Sequence, residues 1–281
     1  MLGKLIKYEF RATGRTLGPL YGALLALTLI VKFQIVYSSN RGQGLIPSEH
    51  LGQIIGTMTT ILYVAIIAAI FVMTLILLIQ RFYKNLLGAE GYLMFTLPVS
   101  VNQLIVSKLV VALVWTLVSG IAAILSICIL GMDSYAWANL FSALQRYLPE
   151  VWRVLGGHGI LLTVEVILLM VVSTLQSVLH IYAAIALGHL AKRRRGLASV
   201  GGYIGLSAAS TMVMQVIGMV LVWVFHHHEV QIWWNTVTRG FMGGVQLTES
   251  ILLALLLACA LFGAAFYAIT HVILHRRLNL E

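Results

Sequence analysis

Few residues in this chain have the types and spacing that chemistry needs. The run His226-His227-His228-Glu229 gathers three imidazoles and a carboxylate, and imidazole is the commonest transition-metal ligand. Consecutive residues of a regular helix point in different directions, however, and no second cluster completes a coordination shell. The run reads as a polar helix end at the outer surface, and no metal is expected. Cys128 and Cys259 both fall inside apolar stretches, which leaves a disulfide framework or a zinc site unsupported and makes them small apolar fillers. His180 and Glu165 could serve an intramembrane enzyme, but neither belongs to a paired motif such as H-E-x-x-H. There is no G-x-x-x-x-G-K-[ST] phosphate loop, so the chain itself is not expected to hydrolyse ATP or to carry a cofactor. If ATP drives it, the ATPase is another polypeptide.

These residues sit in a strongly apolar chain. Of 281 residues 60% are hydrophobic and 10% charged, with a mean hydropathy of +0.96, far above a soluble domain. Apolar runs over residues 17–37, 54–79, 104–130, 160–187, 201–225 and 250–273 each reach the roughly 20 residues that cross a bilayer as a helix. Helices are implied because lipid leaves only helices or closed barrels with satisfied backbones, and unbroken apolar runs lack a barrel's alternation. The expected fold is therefore an all-α membrane protein with six transmembrane helices in one domain spanning 1–281.

The basic residues set the orientation. Lys4, Lys7, Arg11 and Arg15, then Arg81 and Lys84, then Lys192, Arg193, Arg194 and Arg195, and finally Arg276 and Arg277 all fall on one side of an even-span topology. The other side holds only Arg41, Arg146, Arg153 and Arg239. Lys and Arg favour the cytoplasmic side, so both termini are expected in the cytoplasm. The formal charge of +9 is then mostly topological and does not point to nucleic acid. The first apolar run is too long for a signal peptide's core and is followed by no small-x-small cleavage site.

Between the spans the sequence predicts further elements. In residues 1–16 the basic side chains recur every three or four positions, which predicts an amphipathic helix on the inner leaflet before the first span, or else a plain positive-inside anchor. The outer connections 132–159 and 226–249 are rich in apolar and aromatic residues, among them Trp137, Phe141, Trp152, Trp233 and Trp234. They are expected to rest in the outer membrane interface, as lipid anchors or as gating elements.

Polar residues within the spans are the candidate path. Ser173, Gln176, Ser177 and His180 neighbour one another in the fourth span, and Ser207, Thr211 and Gln215 line up in the fifth. In lipid such groups turn toward protein or a water-filled path, either as interhelical hydrogen bonds or as a substrate-facing wall. Lys32 and Glu165 lie at similar depths, each roughly 10 Å inside the outer boundary at about 1.5 Å per residue, and are predicted to pair or to share an aqueous cavity. Gly14, Gly18, Gly22 and Ala26 repeat every four residues and form a bare stripe suited to close helix packing, within the subunit or at a dimer interface.

The most informative stretch is 81–100, RFYKNLLGAEGYLMFTLPVS, a short half-apolar segment between two long apolar runs on the cytoplasmic side. Gly88 and Gly91 can end the second helix, Tyr92, Leu93, Phe95 and Leu97 give apolar bulk, and Pro98 stops the segment. Ser100 and Gln103 have capping-box spacing for the third span. An exposed apolar cluster with no soluble domain to bury it marks a binding surface.

In residues 88–100, in the opening 5–10 (LIKYEF) and in the closing 276–281 (RRLNLE), the chain resembles the ABC-2 type permeases, the membrane subunits of ATP-binding-cassette exporters, of the small six-span kind of Gram-positive bacteria. The resemblance implies that the connection between the second and third spans is a coupling helix seated in a separate ATPase that binds Mg-ATP, with Glu90, Tyr92, Leu93, Met94, Phe95, Leu97 and Pro98 making the contact. It also implies a second permease subunit, identical or homologous, enclosing an export path in the cell membrane, with the first span at the dimer interface. A secondary transporter is the alternative, although inverted repeats and interrupted spans, its usual marks, are not seen.

Overall fold

A computed structural model describes residues 2–41, 49–87, 99–191, 194–225 and 240–276. Among them the chain is helical, with no strand: α1 (Leu2–Arg41), α2 (Glu49–Phe82), α3 (Val101–Gly131), α4 (Ser134–Leu155), α5 (Gly157–His189), α6 (Arg195–Phe225) and α7 (Gly240–Arg276). All but α4 are long and apolar enough to cross a membrane, so the chain is an all-α transmembrane protein. Side chains such as Met219 and Leu261, 74% and 71% exposed, would be untenable in such number against water. On a spanning helix they are the face presented to lipid.

The chain divides into two compact units, one comprising Met1–Arg81 and Val106–Leu148, the other Phe82–Ile105 and Pro149–Glu281. In the first, α1 presents Glu9, Thr13, Leu17, Leu24, Thr28 and Val31 as its buried face, a recurrence of three, four and seven that keeps one stripe inward. Leu24 and Val31 pack with Tyr63 and Ile70 of α2, and Ala122 and Leu130 of α3 close over them. Hydroxyls cross-link the three helices within this apolar core. Tyr21 Oη is 2.8 Å from Ser119 Oγ, Thr74 Oγ1 is 3.0 Å from the same oxygen, and Tyr63 Oη is 2.8 Å from Ser126 Oγ. Since lipid is as apolar as the side chains it would replace, such bonds and close packing, rather than escape from water, hold spanning helices together.

Where the sequence leads one to expect a separate interfacial helix over 1–16, α1 runs unbroken from Leu2 to Arg41. Its first turns bury Glu9 and Thr13, while Lys4, Lys7, Arg11 and Arg15 lie on the exposed side. The amphipathic pattern is real, but the inward face is polar because α3 supplies partners for it. At about 1.5 Å per residue its 40 residues extend well beyond a hydrocarbon core of about 30 Å.

The second unit is built around α5. Tyr182 is fully buried and stacks on Phe82 at a centroid distance of 4.0 Å. A Cβ built on Gly188 would collide with the backbone and side chain of Ser199, and one on Gly202 would lie 3.1 Å from the Ala184 carbonyl oxygen. The α5–α6 hairpin thus closes on glycine. Along α7 the contacts with α5 advance in register. His158 Nδ1 donates to Glu249 Oε1 at 2.8 Å, the Gly263 backbone faces Gln176, and Phe266 stacks on His180 at 4.7 Å. The expected outer connection 132–159 is largely the helix α4, begun by Asp133, whose Oδ1 accepts the Ala136 amide at 2.7 Å in the manner of an N-cap. The boundary between the two units falls at its Pro149.

Candidate functional site

The segment between the second and third spans leaves and rejoins the described helices on well-made bases. After Phe82, α2 widens into a single π-turn, Tyr83–Leu87, in which Leu86 and Leu87 are buried at 0% and 4% exposure. Such turns occur often at functional sites. Tyr83 meets His189 edge-on at 6.4 Å, and on the return Tyr267 Oη donates to Asn102 Oδ1 at 3.0 Å. The start of α3 carries the expected reciprocal cap: Gln103 N donates to Ser100 Oγ at 3.3 Å and Ser100 N to Gln103 Oε1 at 3.4 Å. Glu90, Tyr92, Leu93, Met94, Phe95, Leu97 and Pro98 lie outside the described residues, as do His226–Glu229, Trp233 and Trp234.

The chain passes from the first unit to the second between Arg81 and Phe82 and returns between Ile105 and Val106. Within the first unit, Glu9 of α1 binds a cation from each of two helices: Lys108 Nζ of α3 at 2.7 Å from Oε1, and Arg81 Nη1 of α2 at 3.6 Å from Oε2. One turn along α1, Thr13 Oγ1 accepts the Trp115 indole N–H at 2.8 Å and donates to the Glu9 carbonyl at 2.8 Å. The indole stacks on Phe10 at 4.7 Å, and its edge lies 3.3 Å from where a Cβ of Gly14 would stand. Arg81 and Gly14 stood out in the sequence for other reasons, whereas Glu9, Lys108, Thr13 and Trp115 were not singled out as partners. A lone Lys108 inside an apolar run and a lone Glu9 among cations were the available signals.

Of the candidate path residues, the structure gathers some and separates others. His180 is clasped between Tyr203 at 4.5 Å and Phe266 at 4.7 Å, and Ser207 Oγ lies 3.4 Å from its Nε2. Tyr203 and Ser207 also stand at the N-terminal end, along α6, of an open groove of about 480 Å³ lined further by Ile204, Thr211, Met212 and Gln215. Thr211 and Gln215 therefore share one groove face with Tyr203 and Ser207, hydroxyl, carboxamide and aromatic groups along an apolar wall, which suits an amphipathic ligand; His180 stacks behind Tyr203 and is not itself part of that lining. Gln176 instead packs on Gly263 of α7, and Ser173 and Ser177 turn back onto the carbonyls of Met170 and Ser173 in their own helix. The aromatic clasp around His180 was not foreseen, since Tyr203 and Phe266 look like any apolar filler in their runs.

Lys32 Nζ donates to the carbonyls of Met132 at 2.7 Å and Leu130 at 3.3 Å, capping the end of α3 within the first unit. Glu165, in the second unit, is 7% exposed, and its Oε2 has no hydrogen-bond partner among the described residues. Of the glycine stripe, Gly14 rests against Trp115, whereas Gly18 and Gly22 have nothing within 4 Å of an added Cβ. The geometry offers binding surfaces and helix ties. Comparison with protein-family models, curated proteins and solved structures finds no match to this chain.

Proposed function

We propose that the chain is the membrane subunit of an ATP-driven exporter of the ABC-2 permease type. Segment 88–98 docks into a separate ATPase that binds Mg-ATP, and a second permease subunit completes the path across the cell membrane, with both termini cytoplasmic. The observation that carries this reading is what flanks the segment: a π-turn with Leu86 and Leu87 buried on one side, a capping box on the other, and two membrane-length helices continuing from them. Helices whose ends are fixed in this way move when a partner displaces the segment between them. The resemblance in residues 88–100 supplies the partner, and the Tyr203–Gln215 groove is the wall along which an amphipathic substrate passes.

The test replaces Leu93 and Phe95 by Asp. A buried, unpaired carboxylate at an interface costs several kcal/mol, roughly 3 or more, so the double variant should insert normally but lose its co-purifying ATPase or uncouple it. Retained ATPase and normal export would refute the assignment. A second reading, a secondary transporter, is favoured by one observation, the buried and partly unpartnered Glu165 carboxyl, because intramembrane carboxyls mark ion pathways. Export that survives ATP depletion and stops with a protonophore would select it.

A further inference from the structure

We infer that Glu9 is a positioning residue that fastens α1 to α2 at Arg81 and to α3 at Lys108, and makes α1 follow these two helices when they are displaced. The inference rests on the proposed function, because it assigns a path to movement that an ATPase would impose.

Three observations lead to it. Glu9 meets, through its two oxygens, the last α2 residue before the chain leaves the first unit and a cation three positions into α3 after it returns. The two arms also differ. The Lys108 side chain is 2% exposed and 2.7 Å away, whereas Arg81 is 31% exposed and 3.6 Å away. A buried ammonium separated from its carboxylate keeps its desolvation cost and loses its attraction, so the α3 arm is stiff. The α2 arm, wetter and longer, is compliant. Finally, Lys4, Lys7, Arg11 and Arg15 along this end of α1 are all exposed, so Glu9 is the charged side chain that turns inward, beside the buried Thr13 and Leu17. Movement of α2 at Arg81 and of α3 at Lys108 reaches α1 through Glu9 and, one turn on, through the Thr13–Trp115 bond.

A reporter dye on Gly3→Cys, in a chain whose Cys128 and Cys259 are replaced by Ser, reads α1 directly. Gly3 has open space around it. The full chain is purified with its ATPase, and the dye's response to Mg-ATP is measured beside ATP turnover. With Glu9→Gln, turnover should stay within about twofold while the dye response falls at least about fivefold, the lower edge of ordinary coupling between sites. The paired apolar variant Glu9→Leu with Lys108→Met replaces the ion tie by packing, a change that buried pairs tolerate, and should restore the response. An E9Q chain that responds as wild type does, or one that loses turnover together with the response, overturns the inference and leaves the proposed function standing. A wild-type chain with no ATPase bound overturns both.

Discussion

Substituting Gly188 by Ala tests how the α5–α6 hairpin is closed. The added methyl would meet the Ser199 amide nitrogen and Cα as well as its hydroxyl, so no rotamer change clears it and the two backbones must part. Overpacking costs about 1–3 kcal/mol, and a backbone obstacle places this site at the upper end. The better helix propensity of Ala returns up to about 1 kcal/mol, which leaves a net loss of about 2 kcal/mol, or roughly thirtyfold in the folding equilibrium at about 1.4 kcal/mol per decade. Two neighbours calibrate the effect. At Gly202 the new Cβ would sit 3.1 Å from the Ala184 carbonyl oxygen and 3.6 Å from Leu187 Cβ, so the clash and the propensity gain nearly offset. At Gly205 nothing lies within 4 Å, and Ala should stabilise by up to about 1 kcal/mol. The assay is a thermal ramp in micelles with a thiol-reactive dye, because Cys128 and Cys259 are free and only partly exposed. Midpoints should rank Gly205→Ala highest, then Gly202→Ala, then Gly188→Ala several degrees lower. If Gly188→Ala melts with Gly205→Ala, the hairpin does not close on that glycine.

Two local substitutions probe the ends of α3. Lys32→Met removes a charged donor from the carbonyls of Leu130 and Met132 and should cost about 1–2 kcal/mol at this part-buried site, read as faster amide exchange confined to the last turn of α3; unchanged exchange there would show that the cap is not formed. Ser100→Ala breaks the reciprocal bonds with Gln103 and should cost about 1 kcal/mol, speeding exchange in the first turn of α3 while leaving the region beyond Val111 as it was.

The spans were legible because an unbroken apolar run has one physical solution in lipid, and all six runs fall within α1, α2, α3, α5, α6 and α7. Their ends were less so. The apolar run 17–37 marks what lipid covers, whereas α1 begins at Leu2, because hydrogen bonding continues wherever polar side chains find partners. Local devices could be read as well: the Ser100–Gln103 cap depends on residues three apart, and the alignment of Ser207, Thr211 and Gln215 on the four-residue spacing of a helix reappears as one groove lining. The aromatic clasp depends on which faces of α5, α6 and α7 meet. These helices are apolar nearly all round, so no stripe in the sequence fixes their rotation.

Lys32 shows the deeper reason that partners escape a sequence reading. Its depth suggested a carboxylate, and Glu165 was the acid at matching depth. Within its own unit the ammonium donates to main-chain oxygens at the end of α3, groups that every residue carries and that no residue type advertises. A helix end leaves carbonyls without an intrahelical donor, and a cation from another helix can answer them wherever the two come level. Glu9 is the opposite case, a charge answered by side chains 72 and 99 positions away, each conspicuous alone and paired only by the packing of three helices. Charges inside a membrane protein are thus readable as needs, since burial forces each to find a partner. Which partner it finds is decided by helix rotation and register, and those are set by glycines, hydroxyls and ring faces such as Gly14, Ser119 and Trp115, whose roles emerge only in three dimensions.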